Sequence, residues 1–281
     1  MYILAHKNRA LGIFDSEEKH GHTKEISSFI ISKENIDYLP LPLKRIIHYK
    51  KEFIDSETDK VLVTNEEGCY LLDIWLDGRA IPFNRYNLSR YIERGKTPKQ
   101  WMLSNNAFSF VDNYWIMNEG SNLSWNAVKE KYNDTDEFFT IVNNPVVVKY
   151  KGHNSTLGGE LEKFWYRENN QLCLAKKVTE NMQILAVREV VASLIYSRLN
   201  VIDYCDYSLF QNSNSQVVGC RCKSFLNDGE ELITAYDLLE EYNYVNLPDT
   251  VGLLVKLTSN YDADIKTVQK YLDVQTIIDF L

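Results

Sequence analysis

Three features of this 281-residue sequence have the types and spacing to handle phosphate. The first is the turn-rich stretch Gly152-His153-Asn154-Ser155-Thr156-Leu157-Gly158-Gly159. Small residues let backbone N–H groups approach phosphate oxygens, and the Ser155 and Thr156 hydroxyls add donors. It is no Walker A loop, because no Gly-Lys-Ser/Thr closes it; an ordinary connecting loop is the alternative. The second feature is Lys176, which ends the apolar run Leu172-Cys173-Leu174-Ala175. A lysine there can reach phosphates as a point charge, or sit plainly at a strand end in solvent. The third is Glu189, on a mostly apolar helical pattern. Desolvating a lone carboxylate costs several kcal/mol, so a buried Glu189 needs a cation, and Lys176 is the natural one. The alternative is an exposed Glu on a narrow polar side.

The elements that must carry these residues are readable on both sides. Pro145 to Tyr150 is a β-branched run. Leu161 to Arg167 and Gln171 to Lys177 alternate around Glu168-Asn169-Asn170, the pattern of a hairpin. Leu172, Leu174 and Lys176 then share a face, and Lys177 points to the other. Asn181 to Leu199 reads as a long helix with apolar residues around most of its circumference, which predicts deep burial. Tyr204 to Gln211 and Gln216 to Phe225 form a second antiparallel pair joined by Asn212-Ser213-Asn214-Ser215. Cys220 and Cys222 share one strand face and read as core. Glu230 and Glu231 follow. Helices over 248–261 and 264–281 close the chain. Strand, glycine loop, two strands, helix, two strands is the layout of a protein-kinase small lobe, and a hinge pairing with a purine would fall near Lys223 to Leu226.

Upstream, residues 1–5 and 26–32 read as short strands, with Asp15 to Lys24 as a loop between them. Pro42 suits the first residue of a helix reaching about Phe53. Asn65 to Asp77 carries a helical stripe that Gly78 stops. Arg85 to Arg94 and Pro98 to Ser104 read as short helices, and Val111 to Met117 as a strand. Ser124 is placed to cap a helix over Trp125 to Tyr132. The expected fold class is α+β: an N-terminal α+β subdomain over 1–140, a small lobe over 141–230 with an antiparallel sheet and one long helix, and the first helices of an incomplete large lobe over 231–281.

Composition excludes several other chemistries. No apolar run approaches the roughly 18 residues of a membrane span. Met1 to Arg9 lacks an apolar signal core, and five irregularly spaced cysteines suit a reducing compartment; a cytoplasmic location without membrane contact is expected. The net charge of −8 and the absence of a helix-turn-helix pattern argue against direct nucleic-acid binding. No CxxC pair exists, and no metal site is expected; His20 and His22 are near in sequence, but no further ligand accompanies them. His6 and His48 join no triad, and Trp75, Trp101, Trp115 and Trp125 read as core.

Gly158-Gly159-Glu160-Leu161-Glu162-Lys163-Phe164-Trp165, Leu174-Ala175-Lys176 and Arg188-Glu189-Val190-Val191-Ala192-Ser193 resemble the HipA-like serine/threonine kinases, toxins of toxin–antitoxin pairs. A bacterial and phage-associated subgroup also resembles Arg79-Ala80-Ile81-Pro82-Phe83-Asn84-Arg85 and Asp112-Asn113-Tyr114-Trp115-Ile116 with Trp125, so the likeness covers roughly residues 40–281. Such a kinase phosphorylates protein with ATP and Mg²⁺. The resemblance implies that Lys176 binds ATP phosphates and Glu189 orients it. It places Ser155, Thr156, Gly158 and Gly159 in the phosphate loop, a segment that some members autophosphorylate, and matches Lys163 to a family lysine after that loop. Two departures stand out. Lys177 replaces a glycine common after the strand lysine, and no Asp-x-His-x-x-Asn segment supplies a catalytic base. Asp262, Asp264, Asp273 and Asp279 lack the following His and Asn, so the catalytic residues are unknown and the chain is expected to lack the catalytic lobe. Its last helix is then expected to expose an apolar face and to need a partner, either an antitoxin or a separate large-lobe chain. Three functions follow: the N-terminal portion of a HipA-like kinase, a non-catalytic nucleotide- or partner-binding module of a split system, and, more remotely, a DNA-associated regulator.

Overall fold

A computed structural model describes residues 1–19, 23–44, 54–55, 60–63, 66–135, 138–143, 149–200 and 203–233. The fold is α+β, with two antiparallel sheets. The first has six strands: β1 (Tyr2–His6), β2 (Arg9–Lys19), β3 (Thr23–Ser32), β4 (Ile54–Asp55), β5 (Lys60–Val63) and β6 (Tyr114–Asn118). Their order is β4-β5-β3-β2-β1-β6. The expected loop over Asp15 to Lys24 is instead hairpin: Glu17 pairs with Glu25 and Lys19 with Thr23. Main-chain ladder bonds need no apolar side chains, so a polar hairpin extension leaves no hydrophobic pattern to read. β2 itself had no counterpart among the expected strands.

Alternate residues of this sheet feed two cores. Leu4, Leu11, Phe14, Phe29, Ile31 and Ile116 pack with Leu72 and Leu76 of α1 (Glu66–Arg79) and Met102 of α2 (Pro98–Ser104). Ala5 and Trp115, one residue out of step, pack with Phe108 and with Trp125, Val128 and Tyr132 of α3 (Trp125–Asn133). The helix starts follow the local signals. The Thr97 hydroxyl accepts from Gln100 N–H in a capping box, with Pro98 just inside α2. Ser124 Oγ accepts from Ala127 N–H at 3.2 Å. Gly78 does not stop α1, which runs on to Arg79. The Arg79 guanidinium bonds Asp112 at 2.5 Å and the carbonyls of Ala107 and Tyr114, and this anchorage holds the final turn. Arg85 to Arg94 is no helix either; only Leu88–Arg90 winds, as a 3₁₀ turn entered by Asn87 at φ 57°. The side chains of this segment bond the second sheet, which holds it in an irregular course.

The second sheet has the order β7-β8-β10-β9: β7 (Glu162–Glu168), β8 (Gln171–Lys177), β9 (Tyr207–Gln211) and β10 (Val217–Lys223). The β7–β8 turn places Asn169 and Asn170 at φ 51° and 65°, which asparagine tolerates best after glycine. Phe164, Tyr166, Cys173, Ala175 and Phe210 form the core of one face. Phe138, Ile141 and Val142 of α4 (Phe138–Asn143) join them, with Ile81 and Tyr91 from the upstream segment. The expected domain boundary at 140/141 therefore cuts through a helix, and both halves of the chain build this core.

α5 (Gln183–Leu199) packs beside β9 and β10. Ser193 Oγ pins it there, accepting from Tyr207 N–H at 2.9 Å and donating to the Cys205 carbonyl at 2.6 Å. The expected deep burial of this helix is not found. Ala186 and Ser193 are buried, whereas Ile184, Val191, Leu194 and Ile195 are exposed. Helical periodicity reports apolarity and not what covers it, and no described element lies over that face. The expected helices over 248–261 and 264–281, and most of the one from Pro42 to Phe53, fall outside the described residues. His20, His22 and His48 also fall outside them. Among the described residues no helix is long and apolar enough to cross a membrane.

Candidate functional site

The outer face of β7 and β8 opens on a cleft of about 1290 Å³. One wall is Lys163, Trp165, Leu174 and Lys176 with Tyr207 and Cys222 from the adjoining strands. The other comes from the N-terminal module, including Leu41, Ile74, Trp75 and Arg79. Lys223 to Leu226, where the sequence places the hinge, line it as well. The volume and apolar surfaces suit a ring-bearing small molecule.

Strand parity puts Lys176 in this cleft, and α5 brings Glu189 against its ammonium. Lys176 Nζ lies 2.5 Å from Glu189 Oε1. The ammonium also sits 4.4 Å from the centroid of the Tyr207 ring. Both members of the pair keep some solvent contact, with side chains 13% and 34% exposed. An incoming anion can therefore reach the lysine. Lys177, on the opposite face, is buried and donates to the Ile141 carbonyl at 3.3 Å.

Lys163 is the direct cross-strand neighbour of Lys176. Burial, then Lys176, then Arg85 push the Lys163 ammonium down to about 8. Its Nζ donates to the Gly158 carbonyl at 2.9 Å. Gly158 lines the cleft, and Gly159 takes φ 81°, a conformation that favours glycine. Glu189 pairs with Lys176 and also acts on Lys163, whereas the carboxylate that acts on Arg85 is Glu162, in a chain of net charge −8. Clustered cations attract anions even in an acidic protein.

The two loop hydroxyls are placed differently from the donors the sequence suggests. Ser155 is 1% exposed and does not line the cleft. Thr156 lines it but donates its hydroxyl to the Phe108 carbonyl at 2.9 Å. The structure brings together Gly158, Gly159, Lys163, Lys176 and Glu189, and turns Ser155 and Thr156 toward the protein.

Sequence reading missed the groups that hold this arrangement. Glu162 is 3% exposed and accepts from Arg90 at 2.6 Å, Asn87 at 2.8 Å and the Tyr150 hydroxyl at 2.5 Å. Burial, together with this carboxylate, pushes the Tyr150 phenol far up. Tyr91 Oη accepts from Lys163 N–H and donates to the Lys163 carbonyl, both at 2.6 Å. One available signal was strand parity: Glu162 shares the apolar face of Phe164 and Tyr166, where an unpaired carboxylate is not tolerated.

Among the described residues no group of three or more His, Cys, Asp or Glu side chains is placed for a metal ion. No step is assigned to Mg²⁺. Comparisons with protein-family models, curated proteins and solved structures found no match.

Proposed function

We propose that this chain is the nucleotide-binding portion of a HipA-like serine/threonine protein kinase, with ATP as the ligand of the cleft. The observation that carries this reading is the Lys176–Glu189 pair at 2.5 Å beside Lys163 and the Gly158 loop. In it Lys176 and Lys163 neutralise phosphate oxygens, and Glu189 fixes the direction of the Lys176 ammonium. Leu174, Trp165 and Tyr207 offer apolar faces to the base. In the complete enzyme the γ-phosphoryl group passes to a Ser or Thr of a protein substrate. No described residue is assigned as the base.

A second reading is a nucleotide- or partner-binding module without catalysis. It rests on the net charge of −8, which offers a partner protein an acidic surface. Its partner would be an antitoxin or a large-lobe chain in a cytoplasmic toxin–antitoxin system.

The test is calorimetric titration of the chain with ATP, with and without Mg²⁺, beside Lys176→Ala. Saturable binding that the variant loses is expected. A folded wild-type chain that binds no ATP overturns the nucleotide reading and advances the partner-binding one.

A further inference from the structure

The glycine loop is gripped from behind by one side chain of the upstream segment. Arg85 is 3% exposed. Its Nη1 donates to the Leu161 carbonyl at 2.8 Å, and its Nη2 donates to the Gly158 carbonyl at 2.8 Å and to the Leu157 carbonyl. The next residue, Tyr86, donates its N–H to the Glu160 carbonyl at 3.1 Å, and Asn84 Nδ2 donates to the Glu160 carboxylate at 2.7 Å. The guanidinium also lies 5.0 Å from the centroid of the Tyr91 ring, whose hydroxyl brackets Lys163. Four carbonyls of the 157–161 run thus meet donors outside any sheet ladder.

This has an electrostatic consequence. Carbonyl oxygens carry partial negative charge, and a loop that turns them toward phosphate repels it. A loop whose carbonyls are held by donors behind it can present N–H groups instead, as anion-binding nests do. The planar fork matters, because Arg offers several donors in fixed directions and Lys only a point charge. Desolvating a guanidinium is costly, and here carbonyls offset that cost in place of a bonded carboxylate, so its positive charge stays behind the loop.

We propose that Arg85 is the positioning residue of the phosphate loop: its fork occupies the Leu157, Gly158 and Leu161 carbonyls, fixes the course of the loop and so confers preference for a polyphosphate over a bare nucleoside. This rests on the nucleotide reading above. It assigns to the upstream module a part in ligand selection, since Arg85 is 72 residues from Leu157 in sequence.

The test compares the wild-type chain with Arg85→Lys and Arg85→Ala. ATP, ADP and adenosine are titrated by calorimetry, and amide hydrogen exchange over 157–161 is followed without ligand. Affinity for ATP and ADP is expected to fall about tenfold or more in both variants, the usual scale for charge-assisted bonds. Adenosine affinity should stay within about twofold, and the loop amides should exchange faster. Unchanged ATP affinity with unchanged exchange overturns the proposal. So does an equal loss for ATP and adenosine, which would make Arg85 a general structural support. If Arg85→Ala does not fold, Arg85→Lys decides alone. If the wild-type chain binds neither ATP nor adenosine, the nucleotide reading fails and ligand selection falls with it. Loop exchange then still shows whether Arg85 holds the loop.

Discussion

Lys163 on β7 and Lys176 on β8 stand directly opposite each other, on the face that opens into the cleft. Like charges in that position destabilise a sheet by some tenths of a kcal/mol. Glu189 meets one of them at 2.5 Å, and the other is left with a carbonyl. A third cation, Arg85, adds to the repulsion. An anion at this face would offset that repulsion.

The depressed Lys163 ammonium has a pH signature. Its native value of about 8 lies below the ordinary 10.5, so between those values the unfolded chain holds the extra proton. Stability contributed by this group therefore rises with pH across that window. Lys163→Met should remove that rise, read as the wild-type minus variant difference in urea midpoint at pH 7, 9 and 10. ATP affinity should move the other way, weakening as pH climbs through about 8 and the ammonium is lost. A difference that is flat with pH would show that Lys163 titrates normally.

Glu162→Gln tests the buried carboxylate. The wild-type group accepts from Arg90, Asn87 and Tyr150 at 3% exposure. Removing its charge leaves Arg90 unpaired and Lys177, the Cα partner of Glu162, without a nearby anion. A loss of about 3 kcal/mol or more in unfolding free energy is expected, measured by urea denaturation. A loss below about 1 kcal/mol would mean that this carboxylate is solvated.

Ser193→Ala tests how α5 is seated. The hydroxyl serves both Tyr207 N–H and the Cys205 carbonyl from a side chain that is 4% exposed. Its loss leaves two main-chain groups unsatisfied and should cost about 1–3 kcal/mol. Because the same helix carries Glu189, ATP affinity should fall as well. Destabilisation with unchanged affinity would separate the seating of α5 from the site.

Short-range chemistry was legible in the residues themselves. Ser124 before Trp125 and Asn169-Asn170 between alternating runs each announce their structure, because caps and tight turns are settled by neighbours. The Lys176–Glu189 pairing was legible too, since strand parity and the cost of a lone buried charge leave few partners. Tertiary structure alone decided the rest. Gly78 sits inside a helix because Arg79 finds Asp112 beyond it. Ile184 and Leu194 remain exposed because periodicity tells apolar from polar and never says what comes to cover it. Arg85 reaches the glycine loop across 72 residues. Contacts at such separations depend on how the sheets and helices stack, and no local pattern encodes that stacking.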